Sequence, residues 1–165
     1  MTLKIDPYEE NDLDEILDII NFYILNTTAI YDYEPRTKEQ QSIIFKDKFA
    51  NHFPFLVARI DSKIVGFGTY GSFRFKKAYQ FTVEHSVYIH PNHQGFGVGK
   101  QLMNELILIA KKQKIHTMIA VIDSGNQHSV DFHKNFGFET VGIIKESGFK
   151  FEKWLDSVFM QLILS

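Results

Sequence analysis

The chain of 165 residues has no cysteine, a single tryptophan and only four prolines. Without Cys there is no disulfide scaffold, zinc ribbon, CxxC redox pair or thiol nucleophile, so any covalent chemistry must use other residue types. An excess of one charge sign is also missing: 18 Lys and Arg stand against 20 Asp and Glu, a formal charge of -2. That balance argues against bulk nucleic-acid binding, which draws on many phosphate contacts, yet leaves room for a local anion site. No uninterrupted apolar run approaches the ~18 residues of a membrane span. The N-terminal stretch carries Asp6, Glu9, Glu10, Asp12, Asp14, Glu15 and Asp18 against one Lys, the opposite of a signal or transit peptide. The expectation is a soluble cytoplasmic protein that partners neither membrane nor nucleic acid. Repeats, low-complexity tracts and linkers are lacking, and at this length one domain over residues 1–165 accounts for the chain.

Aromatic residues, by contrast, are abundant: 16 Phe and 7 Tyr need burial or a role. The order of elements follows from periodicity and punctuation. A short strand at 3–5 leads to a helix in which Asp12 and Glu15 have capping-box spacing and Leu13, Ile16, Leu17 and Ile20 form one apolar stripe. Residues 26–36 have no helical period and read as an extended loop, and a second helix follows Thr37, over 38–50. Two β-rich runs, 55–60 and 64–70, joined by Asp61-Ser62-Lys63, read as a hairpin. A strand over 80–89 stops at His90-Pro91, and a glycine-rich turn precedes a helix over 98–112. A strand at 117–122, a short helix at 129–135 and strands at 140–144 and 157–164 complete the chain. The last strand alternates poorly and reads as buried on both faces. Strands and helices interleave, so the class is α/β (α+β) around a mixed sheet.

Most of the chemical information lies in SVYIHPNHQGFGVGKQLM, from Ser86 to Met103. Gly95, Gly97 and Gly99 let the backbone approach a ligand, and the unpaired amides of the following helix point at whatever sits there, which is how phosphate oxygens are bound. The Walker pattern fails, because Gln94 stands five before Gly99 and Lys100 is followed by Gln101. The dinucleotide pattern fails on the alternate spacing of the glycines. What remains is Gln-x-x-Gly-x-Gly, from Gln94 to Gly99, between a strand and a helix.

That hexapeptide resembles the cofactor turn of the GCN5-related N-acetyltransferases (GNAT), which cradles the pyrophosphate of acetyl-coenzyme A. Asn126-Gln127-His128-Ser129 and Phe132 to Phe138 look like the superfamily's second cofactor element and its helix-to-strand turn. Ala78 to Tyr88 and Gly148 to Asp156 are similar to the phosphinothricin and L-methionine sulfoximine acetyltransferase branch. The resemblance runs from about Thr27 to Leu164. It implies a mixed central sheet of about seven strands flanked by about four helices, acetyl-CoA as co-substrate, no metal, a small-molecule amine as acceptor and a homodimer.

Carried onto this sequence, the resemblance makes Glu84 the general base and His133, where many relatives have Tyr, the acid. Val87, Tyr88 and Ile89 would pair with the pantetheine arm. Gln94, Gly95, Phe96, Gly97, Val98, Gly99 and Lys100 would bind pyrophosphate, with Asn126 and Ser129 on the same arm. Arg74 and Tyr79 would clamp an acceptor carboxylate, Lys150 and Trp154 would complete an anion-lined pocket, and Thr28 and Tyr31 would form its other wall. Residue type alone leaves alternatives open: Glu84 as a solvent-facing edge residue, Ser129 as a helix cap, His133 as a structural imidazole, Trp154 as core. A polyamine, an aminoglycoside or a protein N-terminus as acceptor, and a noncatalytic acyl-CoA-binding regulator, are the competing functions. His90 and His93 have three-residue spacing, but Pro91 breaks any helix that would align them, so no metal site is expected.

Overall fold

The computed structural model describes residues 2–164. The seven strands are β1 (Leu3–Pro7), β2 (Phe55–Ile60), β3 (Lys63–Ser72), β4 (Thr82–Ile89), β5 (Thr117–Asp123), β6 (Glu139–Lys150) and β7 (Lys153–Ile163). The four helices are α1 (Leu13–Asn26), α2 (Lys38–Ala50), α3 (Val98–Lys112) and α4 (Gln127–Lys134). One sheet runs in the order β1-β2-β3-β4-β5-β7-β6. Neighbours are antiparallel except β4 and β5, which are parallel. The mixed sheet agrees with the expected class.

Local chemistry explains several boundaries. Thr37 caps α2 through a full capping box, its side chain accepting from the Gln40 amide while the Gln40 side chain accepts from the Thr37 amide. The β2–β3 turn has Asp61 and Ser62 both at positive φ, the left-handed pair that a two-residue hairpin needs. At the first helix the expected capping box does not form. The Asp12 carboxylate instead accepts from the Glu9 amide at 2.8 Å and pairs with Arg59 at 2.7 Å, while Glu15 accepts from the Ile64 amide. Both acids anchor α1 to the β2–β3 hairpin.

The sheet divides two cores. On one face Ile16, Ile20 and Ile24 of α1 and Phe45 of α2 pack on Phe55, Val57 and Phe67. On the other, Leu102, Met103 and Leu106 of α3 pack on Val83, Met118 and Met160. Full burial of such side chains contributes about 1.5–3 kcal/mol each. Much of the aromatic surplus is spent on the first face, where Tyr8, Phe45, Phe49, Phe55, Phe67 and Tyr88 stack in succession.

The C-terminal third corrects the sequence reading. Most of residues 145–156, outside the strands expected at 140–144 and 157–164, belong to them: β6 and β7 form one long hairpin turning at Phe151 and Glu152, both at positive φ. A break in register between Ile144 and Gly148, with Glu146 at positive φ, disrupts the alternation that would have marked the strand. β7 lies inside the sheet between β5 and β6.

Candidate active site

The site begins with a divergence of strands. β4 pairs with β5 only from Thr82–Thr117 to Glu84–Ile119, after which β5 continues along β7 while β4 continues along β3 alone. The His90 amide returns to Val65 on β3 and the Phe73 amide to Thr82. By strand alternation, Glu84, Ser86 and Tyr88 then turn their N–H groups to β3, whereas Val87 and Ile89 direct theirs into the gap left by β5. Two open donors on an edge that borders a cleft are what an amide-bearing arm needs to pair with.

The same alternation sends side chains to opposite faces. Glu84, Ser86 and Tyr88 project toward α1 and α2, into a cavity of about 390 Å³ that also takes Tyr31, Arg36, Gln41, Lys48 and Asp123. Burial pushes the Glu84 carboxyl above the ordinary carboxylate range, against a smaller lowering by Arg74 and Lys48. Among the described residues Glu84 has no ion-pair partner within 4 Å. A carboxylate held in this way can take up a proton more readily than an exposed one.

His133 is on the other face. Its Nδ1 lies 2.6 Å from the Ser129 carbonyl oxygen, which only accepts, so Nδ1 carries the proton. In the neutral ring Nε2 then accepts from His85 Nε2–H at 2.9 Å, and the buried His85 Nδ1 is left without a partner among the described residues. Burial lowers the His133 pKa and takes His85 down to about 3, so both rings are neutral near pH 7. His133 lies across the sheet from Glu84, with its Nδ1 proton donated to the Ser129 carbonyl.

The glycine turn fits a pyrophosphate-bearing ligand. Gly95 and Gly97 have φ of 83° and 77°, and a Cβ built on either meets no atom within 4 Å, so glycine is required there for conformation and not for room. Gly97 is the N-cap of α3 and supplies no side-chain cap, which leaves the first-turn amides at Val98, Gly99 and Lys100 open to a ligand. Phe96 and Lys100 are exposed beside it. Gln94 is turned elsewhere: its Nε2 donates to Tyr23 Oη at 3.1 Å, and Tyr23 donates to the Ile89 carbonyl at 2.6 Å, tying the turn to α1. Asn126 caps α4 by accepting from the Ser129 amide at 3.1 Å.

The expected acceptor residues separate. Tyr31 lines the cavity. Thr28 reaches it indirectly, donating to Asp123 at the end of β5. Arg74 is exposed and stacks on Phe73 at 5.2 Å, close enough to Glu84 to lower its pKa but outside the lining, and Tyr79 packs beside it. Lys150 is buried, and its Nζ donates to the carbonyls of Ile24 and Ile30, both at 2.6 Å. Its charge fastens the loop after α1 to β6, so it does not join the anion pocket as the sequence suggested. Trp154 is 62% exposed and pairs across the hairpin with Phe149, neither core nor cavity wall. His90 and His93 have ring centroids 5.3 Å apart, and His90 Nδ1 accepts from the Asn92 amide.

Arg36, Lys48 and Asp123 were missed. They come from the loop after α1, from α2 and from the end of β5, and no local pattern joins them.

Residues 5–159 match the acetyltransferase (GNAT) domain family. An L-methionine sulfoximine/L-methionine sulfone acetyltransferase of Pseudomonas aeruginosa is 40% identical over 154 residues, covering 93% of this chain and 90% of its own. An N-acetyltransferase from Staphylococcus aureus Mu50 superposes with a TM-score of 0.98 at 39% identity over 100% of both chains. A GNAT phosphinothricin acetyltransferase from Sinorhizobium meliloti, solved in complex with AcCoA, gives a TM-score of 0.96 at 34% identity, covering 100% of this chain and 90% of that one. With a matching sequence over nearly its whole length and the same overall fold, the chain belongs to the GNAT acetyltransferase family.

Proposed function

We propose that this protein transfers acetyl from acetyl-CoA directly to the α-amino group of a small amino acid or analogue of the methionine sulfoximine or phosphinothricin type, with both substrates bound together. The observation that carries the reading is Glu84: a carboxylate with a raised pKa and no ion-pair partner, on the strand whose outer edge opens into a cleft, in a cavity of amino-acid size. Acetyl-CoA supplies the acyl thioester, whose C–S bond breaks as the new C–N bond forms, the CoA thiolate leaving and taking up the second proton that the nitrogen sheds. The residues from Gly95 to Lys100 hold its pyrophosphate, the Val87 and Ile89 amides receive the pantetheine arm, and Asn126 and Ser129 flank that arm. Glu84 removes the proton that an ammonium must lose before its nitrogen can attack, and a raised pKa brings the base closer to working pH. Positioning by the rigid sheet supplies much of the rest. The lack of Cys agrees with transfer that needs no thiol on the enzyme.

The names of the relatives support the acceptor class. The cavity sets two cations, Arg36 and Lys48, beside two acids, Glu84 and Asp123, which suits an acceptor that carries both an ammonium and an anion better than a polyamine. The exposed apolar residues Val141, Ile143 and Ile144 on the edge strand β6, together with Trp154, supply a face for the proposed homodimer. A thiol-release screen with acetyl-CoA across amino acids, methionine sulfoximine, phosphinothricin and polyamines tests the reading. Turnover with the amino-acid class is expected, and turnover only with polyamines contradicts it.

A further inference from the structure

We infer that Arg36 and Lys48 form the carboxylate-binding pole of the acceptor cavity, selecting an amine whose carboxylate lies on the carbon next to the reacting nitrogen. The inference rests on the amino-acid acetyltransferase reading and adds specificity residues to it.

Gly71 stands opposite Glu84 in the β3–β4 register, and a Cβ at Gly71 would lie 3.4 Å from Lys48 Nζ. The ammonium therefore rests on the β3 backbone beside the base. It donates to the Tyr70 carbonyl at 3.1 Å and has no carboxylate within 4 Å among the described residues. Burial, with a smaller contribution from Arg36, depresses Lys48 to about 8, against raising by Asp47 and Glu84. Arg36 is also largely enclosed, its side chain 20% exposed. One terminal nitrogen donates to Gln41 Oε1 at 3.0 Å and the other to Asp32 at 2.9 Å, which leaves three of its five N–H groups. Gln41 is itself 1% exposed, so the guanidinium is aimed by a side chain that cannot move freely.

Both cations face the space that Glu84 faces. An α-amino acid carries its ammonium and carboxylate on one carbon, so its two poles need opposite charges set side by side, as Glu84 and Lys48 are. A diamine would bring a second positive charge against Arg36 and Lys48. A carboxamide would keep the shape and lose the charge. Arg74 lies outside this lining.

The test compares kcat/KM for L-methionine sulfone and its α-carboxamide in wild-type protein and in Arg36→Gln, Arg36→Lys, Lys48→Met and Arg74→Ala. Wild type should prefer the carboxylate by about tenfold or more, the scale of a charge-assisted hydrogen bond. Arg36→Gln and Lys48→Met should each remove most of that preference, lowering turnover of the sulfone while the carboxamide and the KM for acetyl-CoA stay within about twofold. Arg36→Lys should restore part of the preference. A general loss of fold lowers both acceptors equally, and that result overturns the inference, as does a preference that survives both substitutions or vanishes only in Arg74→Ala. Wild-type protein that acetylates neither compound refutes the amino-acid reading together with the inference. Wild-type activity with unaffected variants refutes the inference alone.

Discussion

Gly148→Ala places a single methyl group against the acceptor cavity and tests its wall. A Cβ at this position would lie 2.5 Å from Tyr31 Cε2, 3.0 Å from Cζ and 3.1 Å from Cδ2, so the ring must retreat by about 0.9 Å to reach ordinary contact at 3.4 Å. Tyr31 Oη is 3.2 Å from Ser157 Oγ, and that retreat carries it beyond hydrogen-bond range. The lost bond costs ~0.5–1.5 kcal/mol, and overpacking of this kind ~1–3 kcal/mol. Tyr31 is already 38% exposed and can swing toward solvent, which keeps the total near the low end, about 1–2 kcal/mol. For a domain of this size each kcal/mol lowers Tm by about 2–4 °C, so a fall of about 2–8 °C is expected in a thermal melt. Kinetics should show a raised KM for the amine with the KM for acetyl-CoA unchanged, because the cofactor turn lies at the other end of β4. In Gly148→Ala/Tyr31→Ala the extra methyl has nothing to strike, and the cost should be non-additive. An unchanged Tm and an unchanged amine KM in the single variant would refute the reasoning.

Three further outcomes follow. Gly97→Ala forces a side chain onto a φ of 77° with no clash to relieve, so a stability loss of about 1–2 kcal/mol should come with weaker acetyl-CoA binding, read by calorimetry; full affinity would show that the turn does not need its conformation. His85 and His133 are neutral in the fold, with pKa values of about 3 and below 6.5, while the unfolded chain protonates both near 6.5. The unfolded state thus binds more protons in that window, so stability is complete above pH 6.5 and is lost as pH falls toward 3. Melts at pH 7 and 4.5 should show this, less steeply in His85→Gln, and an equal slope in the variant would remove the pair as its source. Leu102→Ala, at a fully buried position beneath β3, should cost about 2–5 kcal/mol in denaturant unfolding; a loss under 1 kcal/mol would mean that the α3 face is not tightly packed.

The legible parts of the fold were those in which one short stretch contains the whole cause. α3 could be read from Val98 to Lys112 because a glycine turn starts it and Leu102, Leu106 and Ile109 mark one stripe. Thr37 announced α2, and Asp61-Ser62-Lys63 announced the first hairpin. The β6–β7 hairpin was hidden because the irregularity between Ile144 and Gly148 destroys the two-residue period over the segment that needed it. Asp12 and Glu15 had the spacing of a cap but serve Arg59 and Ile64, partners on the β2–β3 hairpin that no local pattern names.

The site divided in the same way. The turn from Gln94 to Gly99 is contiguous and was visible, as was Glu84, an acid in an apolar strand. That Glu84 and His133 stand on opposite faces depends on strand parity together with the placement of α4. Lys150 looked like an available cation, and only the packing of the loop after α1 onto β6 reveals that carbonyls occupy it. Arg36 and Lys48 meet beside Glu84 because a loop, a helix and two strands converge there.

The most direct test of the account is the turnover of Glu84→Gln with an amino-acid acceptor, measured beside its affinity for acetyl-CoA. As the base, Glu84 should be worth about 10²–10⁴-fold in kcat. Removing a carboxylate whose charge is disfavoured by burial should leave Tm equal or higher and cofactor affinity within about twofold. A variant that keeps kcat within about tenfold of wild type would contradict the assignment of Glu84, and with it the proposed mechanism.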